Sequence, residues 1–147
     1  MRWVTAQVEL LSEVTDEVVA AFARLLPQLS RSAAPLDREA IARIAGSQAS
    51  SVLIARTDGV ISGTLTLVMF AIPSGLRAVI EDVVTDDAAR GKGVATALTT
   101  EAIRIARDAG ARTIDLTSRP ARVAAGRLYE KLGFEARDTR VYRYALD

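Results

Sequence analysis

Cysteine and histidine are both absent from this chain, and lysine occurs only at Lys92 and Lys131. Without cysteine there can be no disulfide scaffold and no thiol nucleophile to carry a covalent intermediate. Without histidine the commonest general base and the commonest metal ligand are missing, so proton transfer falls to carboxylates, tyrosine or bound water. No metal site is expected. Charge of one sign is also lacking: the formal net charge of +1 gives no reason to expect a nucleic-acid or membrane partner. No apolar run approaches the roughly 18 residues that a membrane-spanning helix needs. No charged-then-apolar export segment opens the sequence, so the cytoplasm is the expected location. A chain of 147 residues suits one domain, here expected to span 1–147.

The pattern that remains is regular. Trp3 to Leu10 alternates loosely and predicts a first strand. Thr15 or Asp16 can cap a helix whose apolar residues Val18, Val19, Phe22, Leu25, Leu26 and Leu29 recur at three and four positions. Asp37 can cap a second, shorter helix ending near Gly46. Ser51 to Arg56 and Val60 to Phe70 flank Asp58-Gly59, a strong hairpin signal. Pro73-Ser-Gly75 makes the next turn, and Leu76 to Thr85 completes a three-strand meander. Gly93 to Ala109 then reads as a helix with Val94, Leu98, Ala102, Ile105 and Ala109 on one face. Glu101, Arg104 and Asp108 are spaced for pairing on another. A short buried strand over Thr113 to Thr117, a helix over Arg122 to Leu132 and a last strand over Arg140 to Ala145 complete one mixed α/β domain.

The most informative segment joins the third meander strand to the long helix. An apolar run from Ile80 meets Arg90-Gly-Lys-Gly93, which opens directly into that helix. A helix N-terminus presents unpaired N–H groups and the positive end of the macrodipole, which together hold anions. Gly91 and Gly93 let a ligand approach the backbone, and Arg90 and Lys92 add positive charge. The corner therefore reads as a phosphate cradle. It is not a nucleoside triphosphate loop, because Asp86 and Gly93 stand where that motif needs glycine and a hydroxyl residue. Nor is it a dinucleotide fingerprint, because the third glycine is replaced by Thr96.

The pattern Arg90-Gly-Lys-Gly-Val-Ala95 resembles the acetyl-CoA pyrophosphate turn of the GCN5-related N-acetyltransferases (GNAT). About thirty residues on, Ala125-Gly-Arg-Leu-Tyr-Glu-Lys-Leu-Gly-Phe134 resembles that family's second signature, a short helix that carries a tyrosine. The resemblance is close from Ile80 to Phe134. It implies a central, mostly antiparallel, splayed sheet of six to seven strands flanked by about four helices. In that family the sheet opens between the strands ending here at Thr85 and Thr117, and the pantetheine arm enters the cleft.

The resemblance also implies roles. Acetyl-CoA is the cosubstrate, with Gly91, Lys92, Gly93, Val94, Ala95 and Thr96 on its pyrophosphate and Arg90 pairing with phosphate. Backbone groups of Val83, Val84 and Thr85 bind the cofactor arm and stabilise the oxyanion. Tyr129 is the general acid; its helical spacing with Ala125, Leu128 and Leu132 would equally suit a core aromatic. Glu81 is the expected base, directly or through water, with Asp82 beside it. Strand alternation puts those two carboxylates on opposite faces, and Glu81 could instead be an exposed strand carboxylate paired with Arg77 or Arg119. Where many relatives carry asparagine before the tyrosine, this chain has Arg122, a weaker cofactor candidate in a basic segment. The acceptor would be a primary amine of a small molecule or a protein. Leu26 to Leu36 and Asp138 to Tyr144 are the expected acceptor walls, and scattered Arg31, Arg38 and Arg140 could favour an anion. A homodimer is a common state in the family. The alternative reading is a catalytically inactive acyl-CoA sensor or interaction module.

Overall fold

Asp58 and Gly59 both take positive φ, 52° and 81°, in the computed structural model. Two such residues form the mirror-image turn whose twist matches that of paired strands, so they close a tight hairpin between β2 (Ser50–Thr57) and β3 (Val60–Ile72). Pro73 and Ser74 turn β3 into β4 (Gly75–Thr85). The described residues, 6–147, fall into two compact units, one ending at Thr117 and one beginning at Ser118. Of the predicted first strand, Trp3 to Thr5 lie outside the described residues; β1 spans Gln7–Leu10.

In the first unit five strands run in the order β1-β2-β3-β4-β5, with β5 at Thr113–Asp115. All neighbours are antiparallel except β4 and β5, which are parallel. A parallel pair requires a crossover, supplied by α3 (Val94–Asp108). Helices α1 (Asp16–Leu29) and α2 (Arg38–Ala45) begin at Thr15 and Asp37, whose side chains accept from Val18 and Ala40 N–H. Their apolar residues, including Val18, Phe22, Leu25 and Ile41, pack on Val52, Ile54 and Val84. Alternation sends Leu53 and Ala55 to the other face, where α3 lies against β2 and β3. The buried stripe of α3 is Val94, Leu98, Thr99, Ala102 and Ala106, one step away from the predicted Ile105 and Ala109. Gly63 permits this contact: a Cβ there would stand 2.6 Å from Val94 Cγ1 and 2.9 Å from the Val84 carbonyl oxygen. No helix among the described residues is long and apolar enough to cross a membrane.

β4 is interrupted by a bulge. Thr64 faces Val84 and Thr66 faces Glu81, so Leu65 alone opposes both Asp82 and Val83. Asp82 adopts φ 50°, a conformation that aspartate tolerates better than most residues.

The second unit contains α4 (Val123–Lys131), which stops at Leu132 and Gly133. Gly133 takes φ 104°, the Phe134 N–H donates to the Tyr129 carbonyl at 2.9 Å, and the Gly133 N–H donates to Glu130 at 3.0 Å. This is a Schellman stop, whose usual apolar contact is made here by the rings of Tyr129 and Phe134, edge to face at 5.7 Å.

The described sheet has five strands rather than the six to seven expected. Arg140 to Ala145 has strand-like composition but joins no ladder, and Val141, Tyr142 and Tyr144 are exposed. A strand exists only through its neighbour's hydrogen bonds, and composition does not supply the neighbour. β5 is also shorter than predicted, stops at Asp115 and is at most half-buried.

Candidate functional site

The cradle begins where β4 ends. Asp86 caps a single 3-10 turn, Asp87–Ala89, and the chain then passes through Gly91 and Gly93 at φ 79° and 77°. Only glycine adopts this left-handed conformation without strain. A Cβ on either glycine would meet no atom within 4 Å, so their faces are open. Gly93 is the N-cap of α3 and provides no side-chain cap. The first intrahelical bond runs from Ala97 N–H to Gly93 C=O, leaving the N–H groups of Val94, Ala95 and Thr96 without helical partners. α1 and α2 both carry acidic residues in the first turn, whereas α3 carries none. Its positive end is therefore undiminished. Lys92 is exposed, and Arg90 reaches Asp87 at 2.8 Å in an exposed pair that water can exchange freely. These groups suit an anionic phosphate.

Beside the cradle the sheet opens. Among the described residues β4 pairs with β5 only from Arg77 to Val79, and Ile80 to Thr85 continue without a partner on that side. Alternate backbone groups of a strand point to each neighbour: the Asp86 N–H donates to the Ser62 carbonyl of β3 at 2.8 Å, so Val84 also turns to β3 and the groups of Thr85 turn to the opening. The predicted splay is thus present.

Glu81 and Asp82 depart from expectation. Strict alternation would put them on opposite faces, but the bulge breaks it and both line one cavity of about 260 Å³. Neither carboxylate is in an ion pair among the described residues. Arg77, the suggested partner, donates instead to Asp115 at 3.1 Å.

A clamp that the sequence did not disclose holds the cradle loop. Arg24 of α1 donates through Nε to Asp86 at 2.9 Å and through a terminal nitrogen to the Ile61 carbonyl at 2.7 Å. Gln28 accepts from the Asp87 N–H at 2.8 Å. The Ala88 N–H, together with Arg24 and Gln28, holds the Asp86 carboxyl below the usual carboxylate range. The i, i+4 spacing of Arg24 and Gln28 on one helix face was the available signal, but it does not name a partner 62 residues away.

In the second unit, Tyr129 projects from the last turns of α4 and Arg122 is the N-cap residue of that helix. Burial pushes the Tyr129 phenol upward, and the Arg122 guanidinium opposes that shift. The Schellman contact with Phe134 fixes the ring.

The comparisons agree with this architecture. The model of the Acetyltransferase (GNAT) family matches residues 12–134, running through both units. The chain belongs to the GNAT family of acetyltransferases. Among solved structures, a Trypanosoma brucei acetyltransferase is 26% identical at TM-score 0.77, covering 96% of this chain and 100% of that one. A transcriptional regulator from Bacillus halodurans is 27% identical at TM-score 0.76, with 96% and 100% covered. An aminoglycoside N-acetyltransferase in complex with CoA shares the GNAT fold at 17% identity and TM-score 0.77, with 99% and 98% covered. A search of curated proteins finds no match.

Proposed function

We propose that the chain, acting as one GNAT domain over residues 1–147, transfers the acetyl group of acetyl-CoA to a primary amine by direct attack within a ternary complex. The observation that carries this reading is the uncapped, acid-free start of α3 behind two left-handed glycines, next to a β4 edge with free backbone groups. The CoA complex of a structural neighbour supports the choice of cosubstrate.

In this reading the N–H groups of Gly91 to Thr96 hold the pyrophosphate, assisted by Arg90 and Lys92. The β4 backbone at Val83 to Thr85 orients the thioester and stabilises charge on its carbonyl oxygen. Arg122 is a weaker cofactor contact. Glu81, directly or through water, takes the proton that an ammonium must lose before its nitrogen can attack, with Asp82 adding negative charge nearby. A C–N bond forms, the C–S bond breaks, and Tyr129 gives its proton to the departing thiolate. The second amine proton returns through solvent to restore Tyr129. The products are an N-acetyl amide and free CoA. The thiolate of a thiol with pKa near 8.5 can take a proton from a positioned phenol, whose ordinary pKa near 10 is raised here by burial, so the phenol is protonated at neutral pH.

Calorimetric titration with acetyl-CoA tests the reading. Wild type and Tyr129→Phe should bind, and Gly91→Asp should not. Absence of binding by folded wild type would refute it. Binding without thiol release across a broad amine panel would instead support an inactive acyl-CoA-binding module.

A further inference from the structure

We infer that the acceptor is a small primary amine with a compact apolar body, its ammonium at Glu81 and Asp82 and its body in the cavity between α1, α2 and the sheet. This rests on the acetyltransfer reading above and assigns the substrate class. The cavity walls are Phe22, Leu26, Leu36, Ile41 and Ile44, with Val52 on the sheet side. Among the described residues its charged lining consists of Glu81 and Asp82, in the second half of β4 and beside the opening in the sheet. Thr64 adds a hydroxyl that already donates to the Leu53 carbonyl at 2.9 Å.

Three observations narrow the ligand. Charge comes first: two adjacent carboxylates without a cationic partner create a local negative potential that an ammonium relieves. Among the described residues no lysine or arginine lines the cavity. Arg38, a sequence candidate for binding an anion, is engaged with Asp16 and the Val14 carbonyl. An anionic acceptor therefore has no partner among the described residues here. Size comes next: about 260 Å³ lies below the roughly 300 Å³ at which drug-sized ligand clefts begin, while a cavity of about 150 Å³ accepts benzene. One ring or a branched alkyl group with a short aminoalkyl arm fits, and an oligosaccharide does not. Polarity decides between amines: apolar walls would desolvate the extra ammonium groups of a polyamine without pairing them.

A free amine and a peptide led by leucine present the same chemistry, so the test carries both. Rates of thiol release are compared for 2-phenylethylamine, isopentylamine, a leucine-led peptide, spermidine, an aminoglycoside and β-alanine. The apolar amines or the leucine-led peptide should exceed the polycations and β-alanine in kcat/KM by roughly tenfold or more. The ratio between free amine and peptide identifies the source. Ile44 stands at the rim, 38% exposed, so Ile44→Lys should fold. It should raise KM for the preferred apolar amine roughly tenfold through lost apolar contact and like-charge repulsion, with acetyl-CoA affinity unchanged. Methyl NMR spectra titrated with 2-phenylethylamine without acetyl-CoA give a readout independent of turnover, in which Leu26 and Ile41 should shift and spermidine should leave them still. Preference for a polycation or for β-alanine, an unchanged KM in Ile44→Lys, or undisturbed cavity methyls would overturn the inference. If acetyl-CoA itself fails to bind, the acetyltransfer reading falls, and the methyl titration alone decides whether the cavity takes apolar amines.

Discussion

Gly91 and Gly93 lie at φ 79° and 77° with open space over each, so they are required for conformation and not for room inside the protein. A side chain at either position costs roughly 1–2 kcal/mol of backbone strain. Gly93→Ala should therefore lower the Tm of the ligand-free protein and weaken acetyl-CoA further, because the α3 N–H groups would be misaimed. Unchanged Tm and affinity would show that the left-handed turn is dispensable. Tyr129 makes a different demand. As general acid it should contribute roughly 10² to 10⁴ in kcat, so Tyr129→Phe should lose that much while its acetyl-CoA affinity holds. Burial raises this phenol, so its ionisation should produce an alkaline fall in rate above the ordinary tyrosine value of about 10. That limb should be absent in the residual activity of Tyr129→Phe. A purely structural tyrosine would lower stability and leave the limb in place.

Two elements must be held together for the cradle to exist, the β4 exit and α1, and the Arg24–Asp86–Gln28 cluster joins them. The Asp86 carboxyl is held below its ordinary 3.8, so the folded state binds its proton less readily than the unfolded chain. Its contribution is therefore present above pH 4 and is lost as pH falls through the lower folded value. Asp86→Asn should unfold more easily than wild type at neutral pH, and denaturant melts should converge once pH falls below that lowered value. A constant gap across that range would exclude the carboxylate as the source. On the other face Gly63→Ala drives a Cβ into Val94 and the Val84 carbonyl, with an expected loss of roughly 1–3 kcal/mol. These features also mark the limits of sequence reading. Caps at Thr15 and Asp37, the Asp58-Gly59 turn and the Leu-Gly-Phe stop were legible because each is a local rule written in adjacent residues. The glycines of the cradle were legible for the same reason. The Asp82 bulge was not, since a period-two pattern has no mark for an inserted residue, and the faces of Glu81 and Asp82 were misjudged with it. Arg24 reaches its partner through tertiary packing, and the strand expected at Arg140 to Ala145 needed a neighbour that its own sequence cannot specify.

A chain with net charge +1 attracts a polyanionic cosubstrate only weakly at long range, so on the proposed reading affinity comes from local groups at the cradle. Two kinds of group are present there, and salt separates them. Arg90 and Lys92 are exposed side-chain charges, screened once the Debye length falls from about 10 Å at 0.1 M to about 3 Å at 1 M salt. The N–H groups of Val94 to Thr96 would act by direct hydrogen bonding at contact distance and would be screened far less. Acetyl-CoA affinity of the wild type should therefore drop between those salt concentrations and level off, not vanish. The variant Arg90→Ala with Lys92→Ala should start at the weaker value and change little with salt. Ligand at about 100 times Kd should add about 2.7 kcal/mol to stability by mass action, so unfolding melts report the same comparison independently of heat signals. If the double variant keeps the full salt dependence of the wild type, the charge acting on the cofactor lies elsewhere, and the basic segment at Arg119 and Arg122 becomes the next place to look. If wild type is salt-insensitive from the start, the backbone of the turn accounts for binding alone, and the two side chains are solvated residues of an exposed corner.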